Sequence, residues 1–93
     1  MNSPFMQDQR KTIDAIDVKI LELLGKRMRC SHAIGHYKKQ QNLPIVQGQR
    51  WQELLAARIA QGKEEGLSEA YIGTILHTIH DESVRVQKQI VEG

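Results

Sequence analysis

Apolar residues recur at alternating steps of three and four along the first part of the chain. The apolar seam defined by this spacing comprises Ile13, Ile16, Ile20, Leu23, Cys30, Ile34 and Tyr37. Such spacing predicts the buried face of a long, coiled-coil-like helix. Ser3 followed by Pro4 predicts its start, and the pattern runs to about Gln41, before Pro44. A helix of about 35 residues would be ~50 Å long.

The remaining pattern predicts two shorter helices. The second runs from about Gln47 to Ala60 and ends at Gly62. Ser68 predicts the N-cap of the third, with Glu69 in a first turn where the helix dipole favours an anion. The buried stripe of the third helix is expected to comprise Ile72, Ile75, Leu76, Ile79, Ser83, Val86 and Ile90. Because no stretch alternates with period two, the predicted fold class is all-α with three helices.

Composition narrows the class of protein. The chain of 93 residues predicts a single domain over 1–93, and its net charge of +2 gives no indication of nucleic-acid binding. No apolar run approaches ~18 residues, so no membrane association is expected. Cys30 is the only cysteine; it is expected to be a small core residue in a protein of a reducing compartment, the cytoplasm.

The length of the first helix also predicts an assembly. Two shorter helices cannot cover its whole apolar seam. A second copy of the chain could supply the missing cover, and two-fold association is the commonest arrangement of identical subunits. We therefore expect an intertwined homodimer.

Arg27 interrupts the apolar seam and is the first candidate for chemistry. An unpaired guanidinium is costly in an apolar interior, so Arg27 either extends to solvent or meets an anion. Lys38 follows 11 residues later, three helical turns away on nearly the same face. On the third helix, Ser83 and Gln87 share a face at spacing i, i+4. Together these groups could form a pocket for a compact, oxygen-rich anion, or they could be solvated residues at helix ends.

Two histidine pairs have spacings that could bind a metal ion. His32 and His36 lie at i, i+4, and His77 and His80 at i, i+3. No cysteine or carboxylate cluster accompanies either pair. No metal site is therefore expected.

An ordered set of motifs extends over nearly the whole chain, roughly from Gln9 to Gln89. It comprises Arg10-x2-Ile13-Asp14-x-Ile16-Asp17, Lys26-Arg27-Met28, Ile34-Gly35-x-Tyr37-Lys38, Pro44, Arg50, Gly66-Leu67 and Glu82-Ser83-x3-Gln87. This set resembles the all-helical, AroQ-class chorismate mutases. The chain is similar in particular to the mutase domain fused to a DAHP synthase in some bacteria, so a fused or associated DAHP synthase is an expected partner. The resemblance also implies the intertwined three-helix dimer.

The resemblance implies a role for each matching polar residue. Arg27 resembles the family's principal carboxylate clamp, and Arg10 an arginine that the partner subunit donates. Lys38 and Gln87 match the pair that hydrogen-bonds the ether oxygen of chorismate. Ser83 resembles the contact to the ring carboxylate.

The second helix matches the family less well. Arg50 resembles the arginine that opens this helix. However, Gln47 stands where many members have an acidic residue, and Trp51 stands where they have a glutamate. Both acidic groups would contact the ring hydroxyl of the substrate. Gln47 could still form a hydrogen bond there, whereas Trp51 is expected to pack.

The reaction implied by the resemblance is the Claisen rearrangement of chorismate to prephenate, which needs no cofactor. A first alternative is isochorismate pyruvate lyase, which shares the fold and is favoured by the missing acidic residues. A second is a non-enzymatic helical module, which would have no need of Arg27, Lys38 and Gln87 together. Because Arg10 lies ~42 Å from Lys38 by helical rise, both could contact one substrate only in active sites shared between subunits.

Overall fold

A computed structural model describes residues 3–93 and contains three helices. They are α1 (Pro4–Gln41), α2 (Gly48–Glu64) and α3 (Glu69–Glu92). Every element of the described residues is helical, so the predicted all-α class is confirmed. None of these helices combines the length and the apolar character needed to cross a membrane.

The ends of α1 follow the predicted signals. The backbone N–H of Met6 donates to Ser3 Oγ at 3.1 Å, which caps the first turn. At the other end, Asn42 adopts a left-handed conformation with φ of 53°. The Leu43 N–H then donates to the Lys38 carbonyl at 2.9 Å and closes the last turn. These two local motifs explain why the predicted bounds of α1 were correct.

The predicted end of α2 was wrong. The helix continues past Ala60 to Glu64, and Gly62 lies inside it. The turn that ends it lies at Gly66, whose φ of 83° favours glycine. Gly62 instead allows close packing, since a Cβ there would collide with the side chain of Ile72 on α3. The absence of a side chain at Gly62 thus serves the α2–α3 contact.

The start of α3 was predicted correctly. Ser68 Oγ accepts from the Tyr71 N–H at 3.2 Å, and Glu69 occupies the first turn. Ile72, Ser83 and Val86 of the predicted stripe are buried, whereas Ile75 is exposed. Leu76, Ile79 and Ile90 are half-buried, so Ile75 alone among the predicted stripe residues is exposed.

The chain divides into two compact units, which meet in sequence between Cys30 and Ser31. In the described part of the first unit, the side chains of the apolar seam are exposed: Ile13, Ile16, Ile20 and Leu23 are between 49% and 59% exposed. Arg27 is exposed too. Cys30 is also exposed, so its predicted core position was wrong for the single chain. Burial of a seam residue depends on a covering helix, which the described part of the first unit does not itself contain.

The second unit, Ser31–Gly93, holds the buried residues of the described chain. Its buried apolar side chains are Ile72, 6% exposed, and Val86, 7% exposed. Three of its polar residues are buried as deeply, namely Ser31, Ser83 and Gln87. Buried polar groups are costly unless they are hydrogen-bonded. These three residues are therefore candidates for a functional site.

Candidate active site

Lys38 and Gln87 form the centre of the candidate site. Lys38 Nζ, on the last turn of α1, donates to Gln87 Oε1 on α3 at 2.9 Å and to the Ile45 carbonyl at 2.5 Å. Both acceptors are neutral, and an ammonium has three donors. Two of the three N–H groups of the Lys38 ammonium donate to these acceptors, and the third can be directed to a ligand.

The charge of Lys38 is sensitive to its surroundings. Partial burial removes water from the ammonium and lowers the pKa of Lys38 below its ordinary value of 10.5. The shift means that the charged form is less favourable here than in water. An anion that binds beside Lys38 would favour the charged form and so oppose this effect of burial.

Ser83 and Gln87 lie one turn apart on α3 and are both buried. Because Gln87 Oε1 accepts from Lys38, the amide nitrogen faces the other way and donates to Ser83 Oγ at 3.4 Å. The opposite amide orientation would set the NH2 group against the ammonium, donor against donor. Lys38 thus fixes which end of the Gln87 amide can donate to a ligand.

Gly35 lets α1 approach α3 at this point. It is buried, and an added Cβ would lie 3.1 Å from Ile90 Cδ1 and 3.2 Å from Gln87 Cγ. A larger residue would therefore press directly on the side chain of Gln87. Gly35, three residues before Lys38, controls the separation between the two helices that carry the site.

The other predicted site residues lie elsewhere in the chain. Gln47 and Arg50 line a shallow, open depression at the start of α2. Gln47 follows closely after Ile45, the acceptor for Lys38. Arg10 and Arg27 belong to the first unit, where both are exposed. The structure therefore brings together Lys38, Ser83 and Gln87, and the roles of the three arginines stay predictions.

Trp51 packs as predicted. Its indole ring stacks on the imidazole of His80, with ring centres 3.9 Å apart and planes at 15°. The ring of His77 meets the indole edge-on at 5.1 Å. Two of the histidines considered as metal ligands thus take part in the α2–α3 contact. Among residues 3–93, no three His, Cys, Asp or Glu side chains group as metal ligands.

Two polar groups near the site, the Ser31 hydroxyl and the Ile45 carbonyl, were not predicted from the sequence. Ser31 Oγ lies 2.6 Å from Ser83 Oγ in a buried contact between α1 and α3. Its spacing could have revealed it, since Ser31 lies four residues after Arg27 and seven before Lys38, on the same helix face. Nothing in the sequence indicated the Ile45 carbonyl, because every residue carries one.

The chain is similar in sequence to several known bacterial proteins. The bifunctional chorismate mutase/prephenate dehydratase of Buchnera aphidicola subsp. Baizongia pistaciae is 31% identical over 83 residues, 89% of this chain and 22% of that protein. The T-protein of Haemophilus influenzae is 30% identical over 84 residues, 90% of this chain and 22% of that protein. This chain thus spans about a fifth of the length of these relatives. The family described as chorismate mutase type II matches residues 9–88, and the chain belongs to that family.

Proposed function

We propose that this chain is a chorismate mutase, which converts chorismate to prephenate in the biosynthesis of phenylalanine and tyrosine. The observation that carries the proposal is the pair Lys38–Gln87, an ammonium and an amide joined at 2.9 Å in a part-buried position. Membership of the chorismate mutase type II family supports the same reaction.

The pair suits the charge that develops in this rearrangement. The reaction is unimolecular, and the breaking carbon–oxygen bond leaves negative charge on the ether oxygen. Donors already in place from Lys38 and Gln87 would stabilise that charge more than they stabilise the substrate. Removal of one such donor typically costs ~2.7–4 kcal/mol, or about 10²–10³ in kcat. No proton transfer is required, so Lys38 stays charged throughout.

The remaining catalytic contribution is conformational. The enol-pyruvyl side chain must lie over the ring in a chair-like geometry before the new bond can form. Arg10, Arg27 and Arg50 are proposed to hold the substrate through its carboxylates, as fixed cations that cannot lose their charge. Ser83 is proposed to contact the ring carboxylate, and Gln47 the ring hydroxyl.

We further propose that two copies of the chain share each active site. The exposure of the apolar seam in the first unit supports this, because large exposed apolar surfaces mark interaction sites. Helical rise alone separates Arg10 from Lys38 by ~42 Å, far more than the length of chorismate. A site that uses both residues would therefore take Arg10 from the partner subunit.

Isochorismate pyruvate lyase is the second candidate. The observation that favours it is the engagement of Trp51 with His77 and His80. An indole held in this way supplies no acidic contact to the ring hydroxyl of chorismate, and isochorismate carries its hydroxyl elsewhere on the ring. A non-enzymatic helical module would show neither activity.

The setting of the domain is also a proposal. Relatives of this chain are named as bifunctional chorismate mutase/prephenate dehydratases, so a similar domain can be joined to an enzyme that consumes prephenate. Association with a DAHP synthase stays a prediction from the sequence resemblance. Location in the cytoplasm also stays a prediction, which rests on the single cysteine.

Incubation of the purified protein with chorismate and, separately, with isochorismate tests these proposals. Prephenate from chorismate is expected; salicylate and pyruvate as the main products would establish the lyase instead. Lys38→Ala should lose most of the turnover, and Lys38→Arg should recover little of it if a compact ammonium is required. Lys39→Ala is the matched control, since Lys39 is exposed and donates to the Gly93 carbonyl. Equal activity in Lys38→Ala and Lys39→Ala would overturn the assignment of Lys38.

A further inference from the structure

The contact between Ser31 and Ser83 places two hydroxyl groups in the interior of a small domain. Ser31 is 5% exposed and Ser83 is 7% exposed, and their oxygens are 2.6 Å apart. An alanine at position 31 would pack in almost the same volume without burying a polar group. Packing alone therefore does not explain why residue 31 is a serine, and its hydroxyl is expected to have a function.

The number of hydrogens on the two hydroxyl groups defines that role. Each hydroxyl can donate once and accept twice. In its contact with Ser83 Oγ, the Gln87 amide nitrogen is the donor, because an amide nitrogen cannot accept a hydrogen bond. One hydrogen lies between the two serine oxygens. If Ser83 provides it, Ser83 has no hydrogen left for an anion. If Ser31 provides it, Ser83 accepts from both Ser31 and Gln87, and its own hydrogen is free.

We propose that Ser31 is a positioning residue: its hydroxyl donates to Ser83 Oγ and leaves the Ser83 hydrogen free for a carboxylate of the substrate. The inference rests on the proposed function, in which Ser83 contacts the ring carboxylate of chorismate. Ser31 itself does not touch the substrate. A carboxylate at Ser83 can only accept a hydrogen bond, so its binding selects the arrangement in which Ser31 is the donor.

The expected effect is on substrate binding more than on the chemical step. The ring carboxylate is charged in both the substrate and the transition state, so a weaker contact to it raises KM and leaves kcat nearly unchanged. Without Ser31, Ser83 Oγ loses one of the two donors that orient it, so its hydrogen is no longer held toward the carboxylate. Loss of one neutral hydrogen bond in this way corresponds to a rise in KM of about 2- to 12-fold. Ser31→Cys should resemble Ser31→Ala, because a thiol fills the space but is a weak donor.

A double-mutant cycle separates this role from packing. Prephenate formation is measured for Ser31→Ala, Ser83→Ala and the double variant, with folding checked by circular dichroism and thermal unfolding. If Ser31 acts through Ser83, its replacement raises KM in the wild-type background and has no further effect once Ser83 is alanine. Thr78→Ala is the control, since the Thr78 hydroxyl is exposed and bonds to the Thr74 carbonyl at 2.9 Å.

Each outcome decides the proposal. The role of Ser31 is overturned if KM is unchanged in Ser31→Ala or Ser31→Cys. It is also overturned if replacement of Ser31 raises KM equally with and without Ser83. In both cases, prephenate formation by the wild type still upholds the proposed function. If the wild type forms no prephenate, the proposed function fails and the role of Ser31 fails with it. If Ser31→Ala does not fold, the Ser31→Cys variant decides in its place.

Discussion

Replacement of Gly35 by alanine tests how closely the geometry of the candidate site depends on the α1–α3 contact. The added Cβ would lie 3.1 Å from Ile90 Cδ1, 3.2 Å from Gln87 Cγ and 3.4 Å from Gln87 Cα. Ile90 Cδ1 is the end of a flexible side chain and can move away. Gln87 Cα belongs to the backbone, so relief there requires a shift of α3 or of Gln87.

Two opposing terms set the change in stability. Alanine in place of glycine inside a helix stabilises it by about 0.8–1.0 kcal/mol. Overpacking of a well-filled interior costs about 1–3 kcal/mol. The free energy of unfolding of Gly35→Ala should therefore fall by about 0–2 kcal/mol. For a chain of this size 1 kcal/mol corresponds to about 4–8 °C in Tm.

The effect on catalysis should be clearer than the effect on stability. A misplacement of 1 Å can cost about 10²-fold in rate; a displacement of Gln87 by a few tenths of an ångström should lower kcat by about 3- to 10-fold. Both quantities are measured at one protein concentration, because association makes Tm depend on concentration.

Gly73→Ala is the matched control for Gly35→Ala. Gly73 lies within α3, and an added Cβ there meets nothing within 4 Å. Gly73→Ala should keep the wild-type kcat and gain about 0.8–1.0 kcal/mol from helix propensity alone. If Gly35→Ala behaves like Gly73→Ala, with a higher Tm and an unchanged kcat, the reasoning about Gln87 is refuted.

Four further predictions concern the charged and polar groups of the site. Gln87→Glu should shift the optimum of activity to acidic pH, because only a protonated carboxyl can donate to the ether oxygen; an unchanged pH profile would remove Gln87 from the site. Since burial lowers the pKa of Lys38 from 10.5, kcat/KM should fall at alkaline pH with a midpoint below 10.5, and a midpoint at or above it would contradict the assignment. At pH values between the lowered pKa of Lys38 and 10.5, Lys38 is protonated in the unfolded chain and deprotonated in the folded chain. The contribution of Lys38 to the free energy of unfolding should therefore increase with pH over this range. Homodimers of Arg10→Ala and of Lys38→Ala should each be nearly inactive, whereas their heterodimer should regain about half of the wild-type activity through one intact shared site; no recovery after confirmed subunit exchange would exclude shared sites.

The parts of the fold that depend on local signals could be predicted from the sequence. Ser3, Asn42 and Ser68 act through their own conformations or through hydrogen bonds to backbone groups a few residues away. The end of α2 could not be predicted in the same way. Gly62 has a poor helix propensity, worth about 1 kcal/mol, but the close approach of Ile72 from a different helix favours glycine there.

The candidate site shows the same division. The placement of Gln87 on the same face as Ser83 follows from helical periodicity, and the burial of Ser83 agrees with the predicted stripe of α3. Ser31 was missed although it shares a helix face with Arg27 and Lys38, because its burial depends on contact with Ser83 on another helix. The exposure of Cys30 was mispredicted for a related reason. Burial along the apolar seam depends on a covering surface, which periodicity implies but cannot locate.

The stacking of Trp51 on His80 provides the protein with its own optical reporter. Trp51 is the only tryptophan in the chain, so its fluorescence reports one place, the contact between α2 and α3. Unfolding that separates the indole from His80 changes its emission, whereas far-ultraviolet circular dichroism follows the helical content of the whole chain. Titrations with denaturant that are recorded by both signals will coincide only if the α2–α3 contact is lost together with the rest of the helical structure. A fluorescence transition at lower denaturant would reveal that α2 separates from α3 first, without any added label.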